Sequence, residues 1–378
     1  MHLLIVCGEP SGDLNAAGLA KNLLLLNPQL KISAVGGSRL AQAGANIFAD
    51  IKDLSAIGFF DVLKKLPKFF ALKKLVLEKI TAEKPDAVIL VDFSGFNLRL
   101  AKEINKKIPV IYYISPQVWA SRPGRVKTIK KYIDKMIVIF KFEQEFYKKY
   151  GVETDFVGHP LLDIMAQETG KKESAKTTIA LLPGSRRQEV KYILPVMLES
   201  SLLISKKIND IRFIIAKSPN VDWDIYNRSI AGMKIDVLVI EGKTYDCLNA
   251  ADFCLVASGT ATLETAIMQR PFAVIYKMNL LNYLLYRPQV KLPFIGMANI
   301  VAGKKIVPEF IQFQATPQKI AAETIEILNN PQRIAQIKNG LAEVKNSLGE
   351  KGAALRAAQI ILKFLSQHRL RIQSTTVC

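Results

Sequence analysis

At 378 residues, 49% of them hydrophobic, the chain is too long for one ordinary core and calls for two or three domains. No apolar run reaches the roughly 18 residues a spanning helix needs, and the first apolar run, Leu3 to Val6, has no basic segment before it, so neither a membrane span nor a signal peptide is expected. The four cysteines lack C-x-x-C spacing and read as free thiols of the cytosol, while a formal charge of +19 calls for an anionic partner: nucleic acid, acidic lipid or a phosphorylated substrate.

"MHLLIVCGEPSGDLNAAGLAKNLL" opens the chain as a buried strand, a tight loop and a helix. A dinucleotide fingerprint would set G-x-G-x-x-G in that loop, its glycines letting backbone N–H groups close on a pyrophosphate. Here the loop reads Gly8-Glu9-Pro10-Ser11-Gly12-Asp13, with two acids where a phosphate would sit. Further strands are predicted near 31–36, 86–92, 109–115, 134–140 and 154–157, alternating with helical patterns, which implies a parallel sheet covered on both faces. From Asp61 to Ile80, Lys64, Lys65, Lys68, Lys73, Lys74 and Lys79 interleave with Leu63, Leu66, Phe69, Phe70, Leu72, Leu75, Val76 and Ile80. Pro67 should start or kink a helix there. This basic amphipathic stretch suits a membrane surface better than a nucleic acid, and it reads equally well as a core-facing helix with a solvated lysine face. Lys106, Lys107, Arg122, Arg125, Lys127, Lys130, Lys131 and Lys135 extend the basic character, each by itself readable as solvated surface.

The polar stretch Asp163 to Lys176 is the best linker candidate. Beyond it, strands near 177–182, 211–216, 235–240, 252–257 and 272–276 form a second α/β unit, and from Pro308 to about Gln367 the chain reads as helical. Two doubly wound domains facing one another would leave a central cleft, with ligands at the carboxyl ends of the strands. Gly242-Lys243-Thr244 fails as a P-loop, because Val237 stands where the first glycine belongs. Asp222-Trp223-Asp224 reads as a helix cap rather than a metal motif, and His2, His159 and His368 are too dispersed for a metal cluster. His159 reads as a ligand contact or as hinge packing. "IALLPGSRRQEV" passes from a strand through Pro183-Gly184-Ser185 into a helix near Arg186, and "CLVASGTATLETAI" repeats the design, with Ser258-Gly259-Thr260 opening a helix that carries Glu264. Either loop alone reads as readily as a capped turn; two in one domain favour a nucleotide diphosphate at a helix N-terminus, with Glu264 on ribose hydroxyls.

The motifs "GEPSGD", "VDFSGFN", "YYISPQVWASRPGR", "FVGHPLLD", "LLPGSRRQE", "ASGTATLE" and "ANIVAG", in this order over nearly the whole chain, resemble the lipid-A-disaccharide synthase family of inverting glycosyltransferases. The resemblance implies an α/β GT-B fold: two Rossmann-like doubly wound domains and C-terminal helices. It places an acceptor-binding, membrane-facing domain over 1–163, a helix near 349–367 packing back on it, and a UDP-sugar donor domain over 164–348. It implies transfer from UDP-2,3-diacylglucosamine to 2,3-diacylglucosamine 1-phosphate, with no metal or other cofactor. It further implies a cytoplasmic enzyme, peripheral at the inner face of the inner membrane on an anionic surface, acting as a homodimer and binding no nucleic acid.

Inversion needs a base for the attacking 6-hydroxyl. Asp92 matches the family's catalytic Asp, and Glu9 is the second candidate, with a hydrogen-bonding role toward the acceptor. The family pattern is D-x-x-D-F-N; Asp92-Phe93-Ser94-Gly95-Phe96-Asn97 has Gly95 in place of the second acid. On the donor side the expected contacts are Gly184, Ser185, Arg186, Ser258, Gly259, Thr260, Glu264 and Asn299. On the membrane side they are Lys64, Lys65, Lys68, Phe69, Phe70 and Leu72. Another GT-B UDP-sugar transferase, a UDP-sugar epimerase or a non-catalytic nucleotide-binding membrane protein would share part of this pattern.

Overall fold

The computed structural model describes residues 1–53, 61–165, 176–287 and 292–376; the side chains of 53, 61–66, 286 and 371–376 lie outside the description. The chain divides into two compact units, Met1–Asp163 with Leu348–Cys378, and Ile164–Ser347.

In the first unit, seven parallel strands form one sheet: β1 (His2–Val6), β2 (Lys31–Gly36), β3 (Asn46–Asp50), β4 (Ala87–Val91), β5 (Val110–Tyr113), β6 (Lys135–Val138) and β7 (Thr154–Phe156), in the order β3-β2-β1-β4-β5-β6-β7. Leu3, Leu4, Ile5 and Val6 and the whole of β4 are buried on both faces, which is why these strands read as unbroken apolar runs. β3 carries little of that signal, being half-exposed along its length, and the sequence pattern missed it. The helix Ala353–Thr376 returns to this unit and packs along the helix Pro10–Leu26. Arg356 ties it down by donating to the Val157 carbonyl (2.9 Å from Nε), and Asp163 accepts from the Ala353 N–H at 3.1 Å.

The second unit has six parallel strands, β8 (Thr177–Leu182), β9 (Ile211–Lys217), β10 (Val237–Glu241), β11 (Phe253–Ala257), β12 (Phe272–Tyr276) and β13 (Glu309–Ile311), in the order β10-β9-β8-β11-β12-β13. β13 corrects the expectation of helix from Pro308 onward: three residues pair with β12 before the helices Pro317–Leu328 and Pro331–Ser347 begin. A strand this short offers no periodicity to read.

Each sheet reverses its strand order once, between β1 and β4 in the first unit and between β8 and β11 in the second. Loops leaving the carboxyl ends of those strands splay to opposite faces, and the gap left there is where α/β sheets bind ligands. Glu9 and Asp92 follow β1 and β4; Gly184–Arg186 and Ser258–Thr260 follow β8 and β11.

Candidate active site

The two acids of the first loop do different work. Asp13 is buried, and its carboxylate accepts from the backbone N–H groups of Gly37 (2.6 Å), Arg39 (3.2 Å) and Leu40 (3.3 Å), closing the N-terminus of the short helix Ser38–Gln42. It is structural and unavailable to a substrate. Glu9 is exposed at the N-terminus of Pro10–Leu26. Gly8 lets the Phe93 ring close over the loop, since any Cβ there would collide with that ring.

Asp92 ends β4 in a left-handed conformation (φ 50°), as does Phe93 (φ 46°), and Ile114 at the end of neighbouring β5 has φ 64°. A β-branched residue in that region is a true outlier, and such strain, of order 1–3 kcal/mol per residue, gathers where geometry serves a site. The Asp92 carbonyl is clamped by the Tyr112 hydroxyl (2.5 Å) and by Asn97 Nδ2 (2.9 Å). Burial, and then the charge of Glu9, push the Asp92 carboxyl up to about 6. Gly95 is exposed, and among the described residues nothing lies within 4 Å of a Cβ built on it, so no described acid fills that position.

In the second unit, Arg186 stands at the head of the helix Arg187–Ser205 with a 72% exposed side chain, paired with Glu189 at 3.1 Å. The Ser185 and Arg186 N–H groups donate to the same Glu189 carboxylate (3.1 and 3.3 Å), which also presses on Gly184: a Cβ there would lie 2.6 Å from it. Glu189 thus occupies the place of an anion. The Ser258 hydroxyl donates to the Ile295 carbonyl (3.0 Å); Gly259, open to space, starts the helix Thr260–Ile267 with no side-chain cap. Glu264 accepts from the Tyr245 hydroxyl (3.1 Å), and burial raises its carboxyl above the ordinary value.

Asn299 is placed otherwise than expected. Fully buried, it donates to the Val307 carbonyl (2.9 Å) and Glu309 (2.8 Å) and accepts from the Ile306 and Val307 N–H groups (2.8 and 3.0 Å). All four of its hydrogen-bonding positions serve the chain, so it braces the approach to β13. Leu72 is likewise a correction: it is 7% exposed and belongs to the core. On the same helix, Asp61–Glu83, Phe69 packs against Phe93 and Phe96 (centroids 6.0 and 6.3 Å), Lys68 is exposed, and Phe70 is 59% exposed with the Lys73 ammonium over its ring. Lys64 and Lys65 lie outside the described side chains. His159 is buried against Phe140 (5.0 Å), accepts from the Leu161 N–H (3.2 Å), and is held by burial down at about 3. It packs where the chain returns, its N–H donating to the Leu348 carbonyl (2.9 Å). Asp222 and Asp224 pair with Arg187 (2.6 and 3.1 Å); Asp222 sits at a cap position, but its side chain makes no cap.

Sequence reasoning missed Tyr112, Asn97 and Glu143 as site-shaping groups. Glu143 is buried and accepts from Ser115 (2.7 Å), Trp119 (3.1 Å) and the N–H groups of Ile139 and Phe140 (3.3 and 3.1 Å), while burial pushes its carboxyl up to about 7. The only signal in the sequence was Asn97 on the helix following Asp92; contacts between separate strands leave none.

The described residues contain no helix long and apolar enough to cross a membrane. The structure is similar to the kitacinnamycin glycosyltransferase (TM-score 0.66, 16% identity, covering 96% of this chain and 99% of that one). It is also similar to UDP-GlcNAc 2-epimerase from Neisseria meningitidis, solved bound to UDP-GlcNAc (TM-score 0.65, 13% identity, covering 97% and 100%). Those likenesses make the fold GT-B and leave transferase and epimerase undivided. Sequence divides them. Lipid-A-disaccharide synthases from Syntrophus aciditrophicus (41% identity over 97% of this chain and 98% of the relative) and Myxococcus xanthus (36% over 98% and 99%) run the length of the chain. The family model for lipid-A-disaccharide synthetase matches residues 3–364, and the chain therefore belongs to that family.

Proposed function

We propose that the chain is a hexosyltransferase that joins UDP-2,3-diacylglucosamine to 2,3-diacylglucosamine 1-phosphate, giving the β-1,6 disaccharide 1-phosphate of lipid A and UDP. The acceptor 6-hydroxyl gives its proton to Asp92 as its oxygen attacks the anomeric carbon; the bond to UDP breaks and its electron pair leaves on the diphosphate. The observation that carries this reading is the Asp92 carboxyl, held at a strained strand end and pushed up to about 6, close to working pH yet ionised there. Glu9 beside it orients the acceptor. In the second unit the N–H groups of Gly259 and Thr260, at the uncapped start of the helix Thr260–Ile267, receive the diphosphate and Glu264 the ribose hydroxyls. Arg186 stabilises the leaving charge when Glu189 yields its place to the incoming anion.

Both substrates carry acyl chains worth about 0.8 kcal/mol per buried methylene, so the enzyme works at a bilayer surface. Exposed Phe70 and Lys68 support contact with the anionic inner face of the inner membrane. The transfer is read as metal-independent, so a chelator is expected to leave turnover unchanged.

Asp92→Asn should lower turnover of the two diacylated substrates at least about a hundredfold while leaving UDP-sugar affinity unchanged. Turnover near that of the wild type would move the base to Glu9. Arg186→Ala should weaken UDP binding and slow transfer together; unchanged kinetics would reduce Pro183–Arg186 to a capped turn.

A further inference from the structure

The segments that leave the carboxyl ends of β4 and β5 carry a group of charges that proton abstraction does not use. β4 and β5 pair through Val91 and Tyr113, and the Asp92 N–H donates to the Tyr113 carbonyl (3.3 Å), so the loop leaving β5 starts next to Asp92. Glu143 pins that loop through Ser115 and Trp119. The loop ends in a turn closed by the Arg125 N–H on the Arg122 carbonyl (3.0 Å), and Arg125 heads the helix Val126–Tyr132. This helix packs against Ser94–Ile104, which carries Arg99. Two chain segments, leaving the carboxyl ends of the paired strands β4 and β5, thus carry three arginines, and Arg99 and Arg122 both face Arg125.

Arg99 and Arg122 are exposed and Arg125 is half-buried, and no carboxylate among the described residues pairs with any of them. Other arginines of this chain find acids: Arg187 takes Asp222 and Asp224, Arg333 takes Glu326, and Arg369 takes Asp86. Burial, with Arg122 and Arg99 facing it, holds the Arg125 guanidinium below its ordinary value. Like charges gathered without a counter-charge raise the free energy of the empty site and favour an anion that fills it. Guanidinium forks match phosphate oxygens two at a time, which a lysine patch would not.

We propose that Arg99, Arg122 and Arg125 form a phosphate-monoester subsite that holds the anomeric phosphate of an acylated-sugar acceptor while its hydroxyl lies at Asp92. The assignment of the phosphate to the acceptor rests on the transfer reading above. A sugar's anomeric phosphate and its 6-hydroxyl leave the ring on either side of the ring oxygen, so one bound molecule can reach both. Specificity for a phosphorylated acceptor then follows from three unpaired cations that a neutral sugar would leave unpaired.

The test uses the full chain with Arg99→Gln and Arg122→Gln combined, both exposed, and separately Arg125→Lys, which keeps the half-buried charge. Calorimetry with glucosamine 1-phosphate against glucosamine should show a preference for the phosphate that the double variant loses, by about tenfold in affinity. In turnover, the KM for 2,3-diacylglucosamine 1-phosphate should rise about tenfold in the double variant and less in Arg125→Lys. The KM for the UDP-sugar should hold, and the penalty should vanish with the phosphate-free acceptor. Equal penalties on both acceptors, or unchanged binding of glucosamine 1-phosphate, would overturn the subsite. So would a variant that only loses sedimentation with phosphatidylglycerol vesicles, since the arginines would then be reading lipid headgroups. A wild type that binds glucosamine 1-phosphate through these arginines yet transfers nothing would leave the subsite standing and sink the transfer reading.

Discussion

Asp92 is a carboxyl whose environment sets the pH at which it can act. A base must be unprotonated, and with its carboxyl pushed up to about 6, first by burial and then by Glu9, kcat/KM should climb as pH rises through about 6 and level off above it. Glu9→Gln removes one of the two causes, so the acidic limb should move to lower pH; a pH profile of the variant checks this, and a limb that stays in place would mean that burial alone sets it. Asp13, although it shares the loop, predicts a different outcome. Asp13→Ala strands three backbone N–H groups in or near the core and should cost about 1–3 kcal/mol in denaturant unfolding, with kcat falling less than in Asp92→Asn. A variant as stable as the wild type would show that the short helix Ser38–Gln42 does not need its cap.

The helix Asp61–Glu83 separates its two aromatic residues by function. Phe69 is tied into a ring cluster with Phe93 and Phe96, one residue from Asp92, whereas Phe70 faces outward. Phe70→Ser should therefore weaken sedimentation with anionic vesicles while sparing the fold, and high salt should release the wild type, because lysine attraction to such a surface is screened within about 10 Å. Phe69→Ser should cut turnover even on detergent-dispersed substrates, since the ring backs Phe93, the residue next to the proposed base. Vesicle binding unchanged by Phe70→Ser would return this helix to a purely structural role. Glu143 gives its loop comparable rigidity. Glu143→Ala would leave the Ser115, Trp119, Ile139 and Phe140 donors without their acceptor and should destabilise the first unit by about 3 kcal/mol or more, measured by denaturant unfolding.

Across the whole chain, the first unit is built from both ends of the sequence. The helix Ala353–Thr376 buries Ala353, Ala357, Ala358, Ile361 and Leu365, and Arg369 reaches Asp86 at 2.6 Å. Losing the burial of Ile361 and Leu365 alone removes about 3–6 kcal/mol, comparable with the whole stability of a domain. A chain ended after Leu348 should thus lose the unfolding transition of its first unit and keep that of its second. Two intact transitions would show that the returning helix is dispensable.

Much of this architecture was legible because two doubly wound sheets write their signature locally: apolar strands buried on both faces, alternating with helices. Local spacing also put Glu9, Asp92, Arg186 and Ser258 just after strands and Glu264 on the helix that follows β11, and family motifs gave those positions a chemistry. Half-exposed β3 and three-residue β13 carried no such period. Nor could the sequence separate Glu9 from Asp13, or show that Asn299 spends every hydrogen bond on its own chain and that Leu72 faces the core. Those outcomes depend on which distant backbone groups arrive beside a side chain: Gly37 and Leu40 for Asp13, Ile306 and Val307 for Asn299. The strained end of β4, the Tyr112 clamp on Asp92 and the meeting of Arg99 with Arg122 and Arg125 likewise arise only when neighbouring strands pair. Sequence fixes what each segment can form, because propensity and patterning are local; tertiary structure decides which polar groups are already satisfied and which are left for a ligand, because desolvation and hydrogen bonding depend on neighbours far away in the chain.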